Sequence, residues 1–144
     1  MQHCHSVIVC RLDEAVAALA QGREAGRGVM LLSAPGAALH AGCFWWQALV
    51  AAARAHHPDV PCTDILDCAD GTGQALAALR IGVTRLVLWP DAPGRDAVVA
   101  IAAALGGFVL ATAPTAENAD AGSALQRRTA RRAARNGDKP RRPG

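Results

Sequence analysis

Five short apolar runs alternate with segments of helical periodicity, and this alternation restricts the fold more than any other feature. The runs are 6–10 (SVIVC), 29–33 (VMLLS), 62–68 (CTDILDC), 85–89 (RLVLW) and 108–112 (FVLAT). Most are apolar without a polar alternate, the pattern of strands covered on both faces. Helices are expected over Asp13 to about Gln21, Ala41–His56, Thr72–Arg80 and Gly94–Leu105. Asp13 is placed to cap the first, with Gly22 near its end. Pro58 follows the second, and Gly106-Gly107 stops the fourth.

The order βαβαβαβαβ predicts an α/β fold with a five-stranded parallel sheet and four helices. Two strand orders fit. A flavodoxin-like order 2-1-3-4-5 gives three layers, with helices on both faces. A sequential order gives half of a (βα) barrel, whose inner face would be buried against a second copy. A complete barrel needs more than about 200 residues, and the chain has 144.

The pattern stops after Pro114. Residues 1–114 form the expected α/β domain, and 115–144 a basic, Arg/Ala-rich tail, disordered or marginally helical. Residues 115–144 carry eight basic and three acidic groups, a net +5, whereas 1–114 carry seven arginines and nine acids, a net −2. Residues 1–114 contain no lysine. With abundant alanine, this points to the coding bias of a GC-rich bacterial genome.

The composition narrows the function. Aromatic residues make up 3% of the chain, too few for a base-stacking platform. There is no run of about twenty apolar residues and no signal-peptide pattern, so a soluble cytoplasmic protein without membrane contact is expected. The five cysteines are odd in number and form no C-x-x-C, so reduced thiols are expected. His3-Cys4-His5 lacks the spaced second pair of a metal site, and no metal centre is assigned.

Ligands of parallel α/β sheets bind beyond the carboxyl ends of the strands. The Asp67–Gly73 segment there joins Asp67 and Asp70 to a glycine-rich turn, Gly71-Thr72-Gly73, before a helix. Its carboxylates suit a cation, a ligand hydroxyl or an amine, and Asp91 would add a third oxygen for Mg²⁺. The simpler reading has Asp70 or Thr72 capping the helix and Asp67 accepting loop amides. Ser33-Ala-Pro-Gly36 carries no acid and is the candidate anion loop, or an ordinary turn.

Phe44-Trp45-Trp46 opens the second helix. At about 100° per residue, three in a row span about 200°. Leu49, Val50 and Ala53 define the core face, which Trp45 and Trp46 can join, while Phe44 points away from its centre, so a subunit contact is the alternative to core packing. In the tail, Ser123-x-x-Gln126 fits a capping box and Asn136-Gly137 a stop. With Arg127 at zero, Arg131, Arg135, Arg128 and Arg132 fall at about 40°, 80°, 100° and 140°. That basic face suits an acidic partner or nucleic acid.

The run GQALAALRIGVTRLVLWP, residues 73–90, resembles a segment of the KDPG-type aldolases, where a helix, a glycine turn and a strand end in aromatic-Pro. Residues 67–105 are thus similar to part of a phosphate-binding (βα) barrel. That family's Schiff-base lysine would stand two residues before the aromatic. Here the position is Val87, so the resemblance carries no aldolase chemistry. The body is also similar to short α/β proteins of GC-rich bacteria.

The leading expectation is a non-catalytic binding or interaction module that self-associates as a homo-oligomer. The first alternative is a small-molecule-binding protein or small lyase- or isomerase-like enzyme. It would act on a polar or phosphorylated ligand at the strand ends. The second is nucleic-acid association through the tail.

Overall fold

The computed structural model describes residues 4–114. The elements run β1 (His5–Val9), α1 (Leu12–Ala25), β2 (Val29–Ser33), α2 (Ala37–His40), α3 (Cys43–His56), β3 (Cys62–Asp67), α4 (Thr72–Arg80), β4 (Arg85–Val87), α5 (Arg95–Ala104) and β5 (Phe108–Leu110). All five strands are parallel, in the order β1-β2-β3-β4-β5. The flavodoxin-like order is therefore replaced by the sequential one. Periodicity marks strands but carries no record of which neighbours pair, so the sequence left both open.

Sequential order has a geometric consequence. Crossovers of one hand, stepping always to the next strand, keep their helices on one face. Accordingly α1 packs on α3, α3 on α4 and α4 on α5. Val29, Leu31, Leu66, Leu86 and Leu88 meet Leu19, Trp46, Leu49, Val50, Leu79 and Val98 from those helices. The second face has its own cluster of Met30, Leu32, Ile65, Val87 and Phe108, joined by Leu110. Among the described residues it consists of strand side chains alone.

The pairing is staggered. β3 joins β2 along Cys62–Ile65 but joins β4 along Leu66–Asp67. Such a shift in register is the shear that closed and half-closed parallel sheets share.

Several element ends differ from expectation. α1 begins at Leu12, with Arg11 as N-cap and Asp13 inside the first turn. It passes Gly22 and ends at Gly26, whose φ of 63° closes the helix in the left-handed conformation. Gly22 is tolerated because it lets α1 approach β2: a Cβ there would run into Val29 Cγ2. The expected Ala41–His56 helix is preceded by the separate turn α2, and Gly42, with φ 85°, divides the two. Among the described residues, no helix is long and apolar enough to cross a membrane. The tail arginines Arg127, Arg128, Arg131, Arg132 and Arg135 lie outside the described residues.

Candidate functional site

The ends of β2 and β3 bring Ser33, Gly36 and Asp67 together. Ser33 and Asp67 are buried polar side chains, so each needs partners. Ser33 Oγ accepts from the Asp67 amide at 2.8 Å and donates to the Ala34 carbonyl at 3.2 Å. Asp67 Oδ1 accepts from the Gly36 amide at 3.2 Å and the Ala69 amide at 2.9 Å. The carboxylate thus holds two loops, and the anion loop is bound from within. This is the loop-amide role the sequence offered as the simpler alternative.

The next turn is strained at one residue. Ala69 is buried with φ 49°, a left-handed conformation costing about 1–2 kcal/mol for a residue with a Cβ. Its amide is fixed by Asp67, and its carbonyl accepts from the Trp89 amide at 2.8 Å. Gly71 is the N-cap of α4, and no side chain caps that helix, contrary to the expectation for Asp70 or Thr72. Thr72 Oγ1 instead donates to the Pro93 carbonyl at 2.5 Å and ties this turn to the one after β4. Leu39 fills the space a Cβ on Gly71 would need, with Cδ2 2.5 Å from it. Gly73, one residue into α4, is exposed.

The three-carboxylate cation site is not assembled. Among the described residues, no three His, Cys, Asp or Glu side chains group as metal ligands. Asp67 is buried and engaged by two amides, whereas Asp70 and Asp91 are exposed on successive turns. A Mg²⁺ ion would need their oxygens to converge.

The aromatic triplet divides as the helical angle requires. Trp46 is 0% exposed and belongs to the core, which removes it from any contact between copies. Its indole N–H has no partner. Trp45 is half-buried, its ring centroid 6.0 Å from that of Trp46. Phe44 is 70% exposed. Leu12, Leu39 and Trp89 are also exposed, and all three follow strand ends, as Phe44 does at the start of α3. The carboxyl edge of the sheet therefore has a polar floor bound to backbone and an apolar rim open to solvent.

Sequence reasoning missed a charged cluster on β3. Asp64 is 8% exposed. Arg54 lies 2.8 Å from it and Arg85 3.6 Å, and Arg54 also donates to the Cys62 carbonyl at 3.0 Å. An acid inside an apolar strand was the available signal, because a buried carboxylate requires a cation. Burial pushes the neighbouring Cys62 thiol up, with Arg54 opposing. Burial also lifts Cys68 to about 12, with Asp67 and Cys43 adding to it. These thiols are packing groups rather than nucleophiles. A shallow groove of about 680 Å³ runs along α1, lined by Leu12, Val16, Ala17, Ala20 and His56 among others. It lies on the helical layer and holds none of the strand-end candidates.

Fold and edge together define a parallel α/β domain with sequential strand order and an apolar rim at its strand ends. No protein-family model matches the chain, and no curated protein matches its sequence.

Proposed function

We propose that the chain is a non-catalytic interaction module that binds a second copy of itself through the apolar rim. The exposure of Phe44, at 70%, carries this reading. An exposed aromatic side chain, on an edge that also carries the exposed Leu12, Leu39 and Trp89, favours burial in a contact. The polar groups of the same edge support it from the other side: Ser33 and Asp67 already satisfy backbone amides and carbonyls. The five cysteines are free, which suits a reducing compartment such as the cytoplasm. Light scattering of the full chain tests the reading. The expected mass is twice the 14.9 kDa of one chain, falling to one chain in Phe44→Ser with the circular dichroism unchanged. A single-chain mass for the unaltered protein, or an unchanged double mass in Phe44→Ser, would refute it.

Ala69 favours a second reading, ligand binding at the strand ends. Strained backbone at the mouth of a parallel sheet is a recurrent mark of binding sites. Asp70, Gly71, Thr72 and Gly73 would supply one side of such a site and Asp91 the other. A thermal-shift panel of Mg²⁺, inorganic phosphate, sugar phosphates and nucleotides tests it. A bound ligand at a hundred times its Kd adds about 2.7 kcal/mol, and a flat panel removes the reading.

A further inference from the structure

α3 turns an uncharged face to solvent. With Phe44 at zero and about 100° per residue, the buried Leu49, Ala53, Trp46 and Val50 stand at about 140°, 180°, 200° and 240°. Phe44 therefore points straight away from the core. Ala51, Ala55 and Ala48 stand within about 40° of it, and all three are exposed. The single arginine of the helix, Arg54, is turned to Asp64 at 2.8 Å. A helix on a protein surface ordinarily carries charge on its outer face. Here that face carries an aromatic ring, 70% exposed, above small methyl groups.

The neighbouring helix supplies a complementary shape. α1 packs on α3, and the groove of about 680 Å³ along α1 is lined by Leu12, Val16, Ala17 and Ala20, with His56 from α3. That volume lies in the range of about 300–1,000 Å³ that encloses small molecules, so a phenyl ring enters it with room for its neighbours. Arg11 and Asp13 also line it but pair with each other at 3.1 Å.

We propose that Phe44 of one copy enters the α1 groove of a second, which returns the contact with its own Phe44. The contact rests on the self-association proposed above and names where the ring goes. A second copy is favoured as the occupant in three ways. Ring and groove lie on neighbouring helices of one layer, so a twofold axis parallel to that face and midway between them sets each ring over the other copy's groove. The α3 face carries no charge and the groove's two charged side chains cancel, so two copies meet without like-charge repulsion. A nucleic acid or a strongly acidic or basic protein would find nothing to pair with. The groove is also continuous with the rim, because Leu12 belongs to both. Ala48, Ala51 and Ala55 let the two helical layers approach closely.

The test uses the full chain. Ala17 is exposed within the groove, and arginine is a strong helix former, so Ala17→Arg blocks the groove without unfolding α1. Light scattering over a dilution series reads the outcome. The dissociation constant of the pair should rise at least tenfold in Ala17→Arg and in Phe44→Glu, with circular dichroism unchanged. In the doubly altered chain, Phe44→Glu with Ala17→Arg, each glutamate meets an arginine of the other copy, and the double mass should return. Ala100→Arg, on the exposed side of α5, should leave the mass as it is. A double mass kept by Ala17→Arg would overturn the groove contact while self-association through Phe44 still stood. A doubly altered chain that stays single would overturn it as well. A single-chain mass for the unaltered protein would overturn both.

Discussion

Single residues in this chain are sorted by angle and by solvation. Trp46 and Phe44 are two positions apart on α3, one fully buried and the other 70% exposed. The aromatic run was legible in sequence, and so was the impossibility of burying all of it. Which tryptophan entered the core was not, because that depends on where the helical layer meets the sheet. Trp46→Ala should cost about 3–5 kcal/mol in urea unfolding. Trp46→Phe should cost clearly less, since it also removes an indole N–H that has no partner. Cys68 makes a pH prediction. Its thiol rises from 9.0 to about 12 on folding, so between those values the native chain holds a proton that the unfolded chain releases. The stability from this group is complete below about pH 9 and is lost as the pH rises toward 12. Melting temperature should fall across that range, and fall less in Cys68→Ala.

Elements are held at their ends by contacts between turns. Asp67 joins the start of α2 to the end of β3, and Thr72 joins the turns before α4 and α5. The residues at these ends were legible, since strand ends can be read from a pattern. Their partners were not, because Gly36 and Asp67 are 31 positions apart and nothing local links them. Asp67→Ala should lower stability by about 2–3 kcal/mol, and Asp67→Asn by less, because its amide oxygen still accepts. Chemical denaturation of the two variants checks the order. Gly107 was read as a helix stop and does more. A Cβ there would run into the Thr84 carbonyl, which accepts from the Phe108 amide at 3.0 Å. Gly107→Ala should therefore loosen β5 and cost about 2 kcal/mol or more, read as faster amide exchange at Phe108.

At the scale of the molecule, alternation predicted the class and the parallel sheet, and continuous apolarity predicted two covered faces. β2, buried at all of its positions, meets that second expectation, whereas the edge strand β1 does not, with Ile8 57% exposed. Strand order required knowledge of pairing, which a single chain does not carry in its local pattern. The ion pair of Asp64 with Arg54 and Arg85 was hidden for the same reason. β3 belongs to two half-sheets, joined to β2 along Cys62–Ile65 and to β4 along Leu66–Asp67. Its ladders follow one another like the faces of a lap joint. A force sliding the two halves of the sheet past one another along the strands would load the backbone between Ile65 and Leu66 together with the bonds from Asp67 to the end of β2. The sheet's resistance to shear would then rest on the Ser33 and Gly36 bonds to Asp67 and on the packing of α3 against α4 as much as on the strand ladders, and its resistance to peeling on the short seam with β4.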